Sequence, residues 1–219
     1  MPSAKKRRAM EHEKHRKQLR LWGTVAGVVV LVAVVAALLS QNSGTSDATT
    51  TGETRPVTVQ GEALAPQPTS GTDPAIGTPG PALRGQSFDG APVTIDPGAT
   101  GNPTAVWLVA HWCPHCNAEV PRVVSLDDQG RLPQGIDYYA ISSGSDPTAP
   151  NYPPSAWLQG ERWPFPALAD DESGSAAKAY GLTSYPLLVL LDADGNVVFR
   201  QSGELGEDGI TQVLQQLAG

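Results

Sequence analysis

The chain has 219 residues, 40% of them hydrophobic, and a formal net charge of −7. That length accommodates one ordinary domain plus additional segments. The charge is uneven: residues 1–20 carry eight Lys/Arg against Glu11 and Glu13, while the remaining 199 residues carry seven basic and twenty acidic side chains. A nucleic-acid interface would therefore have to rest on the first twenty residues alone, and the apolar run next to them points to a membrane instead.

Residues 21–39, LWGTVAGVVVLVAVVAALL, are uncharged and almost wholly apolar. Nineteen helical residues reach roughly 28 Å, about the hydrocarbon thickness of a bilayer. Basic residues before the span predict a cytoplasmic N-terminus, and Trp22 suits the interface. A cleaved signal peptide and a buried helix are the alternatives. The long basic region and the absence of a clean small-x-small site around Leu38–Ser43 favour an uncleaved single-pass anchor. No cysteine lies near the span, which excludes a lipid-anchored form. Everything after residue 40 is then expected outside the cytoplasm, where a disulfide can persist. Residues 40–80 are rich in Ser, Thr, Gly and Pro and poor in large apolar groups, which predicts a disordered tether.

The folded part is expected over 81–219. Asp89-Gly90 between Gln86–Phe88 and Ala91–Ile95 signals a hairpin, and Thr104–Ala110 is an apolar run of buried-strand length. Pro114 suits a first helical turn, with a helix to about Asp128. Ile136–Ser142 reads as a strand, Ser155–Gln159 as a short helix, and Phe165–Ala169 as a short strand or extended segment. Ser173–Tyr180 predicts a helix ended by Gly181. Leu187–Leu191 and Val197–Gln201 flank Asp194-Gly195 as a second hairpin, and Asp208–Leu217 closes with an amphipathic helix. This order predicts an α/β fold, a mixed sheet with helices on its faces.

The only two cysteines, Cys113 and Cys116, are separated by Pro114 and His115. As a staple so small a loop contributes about 2 kcal/mol, against about 3 kcal/mol for a 15-residue loop. A chemical role accounts for the pair better. Cys113, at a helix N-terminus, is positioned for a lowered thiol pKa and nucleophilic attack; Cys116, one turn on, is positioned to resolve a mixed disulfide. His115 either stabilises a Cys113 thiolate or faces solvent without effect. His111, Cys113, His115 and Cys116 together form a soft-ligand cluster, but four ligands on one strand–turn–helix corner would struggle to surround a metal.

Trp112, Cys113, Cys116, Glu119 and Pro121, together with the later YGLTSYPLLVLLDADGNVV, resemble the thioredoxin fold, and within it the membrane-anchored, extracytoplasmic TlpA/ResA-type proteins. The Pro-His dipeptide also resembles DsbA-type oxidants. The resemblance spans roughly residues 82–217. It implies a cis peptide bond before Pro186, packed against the cysteine pair, with Tyr185 pairing with substrate backbone. From sequence alone, an ordinary trans edge proline is the alternative. Glu119 is implied as a proton-handling group beside the thiols, an ordinary solvated carboxylate being the alternative. Trp112 either packs at the rim or faces substrate. Thioredoxins carry a buried acid six residues before the first cysteine; here that position is Trp107.

The expected activity is a membrane-tethered thiol:disulfide oxidoreductase acting on protein thiols, with no cofactor and no metal. Its active site would be recycled by a membrane redox partner. The Pro114-His115 pair leans the reading toward an oxidant; a reductant of the same fold, serving cytochrome c maturation or copper-site thiols, is the alternative. A metal-binding or non-catalytic interaction module is the alternative of another class.

Overall fold

The computed structural model describes residues 52–219, which belong to a compact unit spanning Thr50–Gly219. The basic tail and the apolar span lie outside the described residues. Among the described residues no helix is long and apolar enough to cross a membrane.

The elements run β1 (Thr58–Gln60), β2 (Ala82–Gln86), β3 (Pro92–Ile95), β4 (Thr104–Val109), α1 (Pro114–Asp128) and β5 (Asp137–Ser142). After them come α2 (Pro154–Gly160), β6 (Ala167–Ala169), α3 (Ser175–Ala179), β7 (Leu187–Leu191), β8 (Val197–Ser202) and α4 (Gly206–Ala218). Five strands form a mixed sheet in the order β6-β5-β4-β7-β8. β4, β5 and β6 run parallel, whereas β7 pairs antiparallel with both β4 and β8.

All residues of β4 and β7 are buried because both faces of the sheet are covered. Alternation along each strand sorts their side chains into two cores. Ala105, Trp107, Val109, Leu188 and Leu190 join both cysteines and the apolar stripes of α1, α2 and α4. Val106, Leu108, Leu187, Val189 and Leu191 join the β2–β3 hairpin, α3 and Tyr180 on the other face. The active-site corner is thus held by a strand packed on two sides.

The tether expected over 40–80 is corrected for residues 52–80, which are part of the folded unit. β1 pairs antiparallel with β2, extending the hairpin into a three-stranded sheet. Leu64 and Ala75 are buried in the core, and Val57 and Val59 pack against it. Asp73 meets the buried guanidinium of Arg200 at 2.5 Å. A segment too poor in apolar groups to fold alone is ordered here because β2 offers an edge and α3 a surface to cover. Gly181 shows the fit: its φ of 68° suits glycine, and a Cβ there would run into the carbonyl of Ala65.

Candidate active site

β4 ends at Val109 and delivers Ala110-His111-Trp112 to the corner where α1 begins. Cys113 is the N-cap residue of α1 in extended conformation, and Pro114 occupies the first turn, where its missing N–H is no loss. Both cysteines are thiols, Cys113 5% and Cys116 0% exposed. The backbone N–H of Ala110 donates to Cys116 Sγ at 3.4 Å. Burial nonetheless pushes the Cys116 thiol well above the ordinary thiol range; Cys113 and the charge of Glu119 push it further.

The peptide bonds Tyr185–Pro186 and Tyr152–Pro153 are both cis; the family resemblance implied only the first. Tyr185 lies against the pair, and Cys113 Sγ donates to its carbonyl oxygen at 3.7 Å. Trp112 is half-exposed, stands edge-on to the Tyr185 ring at a centroid distance of 5.6 Å, and donates from Nε1 to Gly144 O at 2.7 Å. Gly144, with φ of 67°, lies under both rings. Trp112 and Tyr185 therefore form one aromatic wall beside Cys113.

His111 is fully buried. Its Nδ1 donates to Pro150 O at 2.7 Å and its Nε2 accepts from the Asp146 N–H at 3.1 Å, which assigns the neutral Nδ1–H tautomer. Both nitrogens are committed to the loop 144–153, so His111 has no lone pair for a metal. Asn117 and Asn151 donate to the His111 carbonyl, tying the same loop to α1.

Glu119 is not a solvated helix carboxylate: it is 1% exposed. It accepts from Leu205 N at 3.0 Å and Gly206 N at 3.3 Å, the start of α4, and pairs with Arg122 at 3.1 Å. Donors that a helix N-terminus leaves unpaired thus compensate the buried charge. His115 points away from the core, its side chain 65% exposed, with Nδ1 at 2.7 Å from Glu204 Oε1. Glu204 also meets Arg122 at 2.5 Å. Glu204 is the participant sequence reasoning missed. It lies 89 residues from His115, and only the helical spacing of His115, Glu119 and Arg122 on one stripe hinted at a shared partner. Trp107 is buried against Trp163 and Tyr138, and Glu119 on α1 is a buried carboxylate whose charge reaches Cys116.

Residues 75–215 match the Redoxin family model. The chain belongs to the Redoxin family. It is a thioredoxin-fold thiol:disulfide oxidoreductase. Among curated proteins it is similar to the thiol:disulfide interchange protein DsbE of Haemophilus influenzae, 27% identical over 143 residues covering 65% of this chain and 74% of that protein. A DsbE homolog of Paracoccus denitrificans is 34% identical over 110 residues, 49% of this chain and 55% of that one. Solved structures share the fold. A thiol:disulfide interchange protein of the thioredoxin family from Chlorobium tepidum superposes with a TM-score of 0.53 at 23% identity, over 65% of this chain and 97% of the other. The thioredoxin domain of a Bacteroides vulgatus thiol-disulfide oxidoreductase does so with 0.53 at 16%, over 66% and 99%.

Proposed function

We propose that this Redoxin-family chain is a membrane-tethered, extracytoplasmic reductant of protein disulfides. The observation that carries the direction is the engagement of His115 Nδ1 by Glu204 Oε1 at 2.7 Å. Cys116 is held protonated by burial and by the charge of Glu119, and Cys113 donates its S–H to the Tyr185 carbonyl. An oxidant needs its reduced state stabilised as a thiolate at Cys113, and an imidazole bound to Glu204 is not free to supply that stabilisation. The oxidising lean read from Pro114-His115 required the imidazole at the Cys113 sulfur. The Glu204 contact occupies the imidazole Nδ1 instead.

In the reducing direction Cys113, as thiolate, attacks one sulfur of a substrate disulfide. The S–S bond breaks, one substrate sulfur leaves as thiolate, and a Cys113–substrate mixed disulfide forms. Cys116 then gives up its proton and attacks Cys113 Sγ, which expels the second substrate thiolate and closes the Cys113–Cys116 disulfide. Two electrons pass to the substrate, whose thiolates take up the two protons released. Glu119 is the nearby carboxylate that handles the Cys116 proton. A dithiol partner in the membrane supplies the electrons that restore the pair. Trp112, Tyr185 and the cis bond before Pro186 form the surface that receives the substrate backbone. DsbE relatives bear thiol:disulfide interchange names, which supports a protein-thiol substrate.

Equilibration with glutathione tests the direction. The expected potential lies at or below about −270 mV, the thioredoxin value, whereas one near about −120 mV reverses it. Reduced Cys116→Ala should accumulate mixed disulfides with oxidised protein substrates through Cys113, and Cys113→Ser should accumulate none.

A further inference from the structure

We propose that Glu204 is a positioning residue that sets the redox potential of the Cys113–Cys116 pair by holding the His115 imidazole on the β8–α4 loop. The proposal rests on the oxidoreductase reading of the same site. His115, Glu119 and Arg122 occupy one stripe of α1 at helical spacing, and each meets the short segment Glu204-Leu205-Gly206. Glu204 receives His115 Nδ1 at 2.7 Å on one oxygen and Arg122 Nη1 at 2.5 Å on the other. Arg122 in turn reaches Glu119 at 3.1 Å, so the loop is fixed to α1 at both its exposed and its buried end. Glu207, on the first turn of α4, pairs with Arg131 instead and does not compete for either partner.

The chemistry turns on where an unrestrained His115 would go. It sits two residues beyond Cys113 on the open first turn of α1, 65% exposed, with no packing to hold its ring. An imidazole N–H or imidazolium turned to the Cys113 sulfur would stabilise the thiolate and make the pair more oxidising. Bound to Glu204, the ring has Nδ1 occupied, and any positive charge it carries is offset by the carboxylate. His115 and then Arg122 hold the Glu204 carboxyl below the usual carboxylate range, so this restraint persists at neutral pH.

Potentials against glutathione and the pH midpoint of Cys113 alkylation, measured on wild type, Glu204→Gln, His115→Ser and the double variant, test it. Glu204→Gln should shift the glutathione equilibrium constant toward oxidising by about tenfold, equivalent to about 30 mV, and lower the alkylation midpoint. His115→Ser alone should stay near wild type, and the double variant should return there. The same shift in the His115→Ser background would mean that loss of a negative charge, not release of the ring, moved the potential, and the proposal fails. An unshifted Glu204→Gln overturns it too. Ring ¹⁵N spectra of the wild type keep the test independent of variant folding: a His115 Nδ1 without a hydrogen-bonded proton overturns it. A wild type that exchanges no disulfide sinks the oxidoreductase reading and this proposal together; a wild type that exchanges but ignores Glu204→Gln sinks this proposal alone.

Discussion

Cys116 shows how burial converts an ordinary thiol into a pH-sensitive part of the fold. Its ordinary pKa is 9.0, and in the folded chain burial raises it far above that. In the unfolded chain the thiol ionises above that value while the folded protein keeps its proton, so the folded state binds more protons there. Stability must fall as pH rises, by about 1.4 kcal/mol for each unit above the unfolded value until the folded pKa is reached. Tyr138 and Tyr180, also raised by burial, add a similar slope at higher pH. Comparing the reduced wild type with reduced Cys116→Ser in urea titrations from pH 8 to about 10.5 isolates the cysteine. The variant should lack the steep loss just above pH 9, and equal slopes would mean that Cys116 ionises freely in the fold. The cysteines themselves were legible in the sequence because two residues separate them. The burial of Glu119 was not, because a carboxylate on a helix reads as solvated until the amides of Leu205 and Gly206 are brought to it.

At the scale of elements, most strands and helices obey their local signals within a residue or two. Asp89-Gly90 and Asp194-Gly195 each turn a hairpin. β4 needed only its unbroken apolar run to be read as a buried strand, whereas β7 is expected only as one arm of the second hairpin. One exception is β2, expected at Gln86–Phe88 and found at Ala82–Gln86; the other is residues 52–80, whose composition spoke for a tether. Their few apolar groups suffice because each lands on a surface already built: Leu64 N–H donates to Ala179 O at 2.8 Å, and its side chain is 5% exposed. Leu64→Ala should therefore cost about 2–3 kcal/mol in equilibrium urea unfolding, as for a core leucine. A tether residue would change the midpoint by nothing measurable.

For the whole molecule, the docking of residues 52–80 sets where the folded unit begins. If residues 21–39 anchor the protein, only residues 40–51 remain as a connector, which at full extension reaches roughly 40 Å. Protease added to intact spheroplasts should release a soluble fragment beginning close to residue 52 and leave the remainder intact. Cleavage spread evenly through residues 52–80 would mean that β1 is not docked, and a domain protected until the membrane is permeabilised would reverse the topology. The reaction class was already expected from the chain, because a WCxxC after an apolar strand, with a later proline at a strand start, resembles the thioredoxin family. So was the α/β order, because periodicity and turn residues are local properties. The poise of the site arises only on folding. The buried charge of Glu119 and the capture of His115 by Glu204 depend on groups 86 to 89 residues apart in the chain, and the thiol form of Cys116 depends on the burial that folding brings. Desolvation and charge pairing act through space, and no spacing along the chain encodes them.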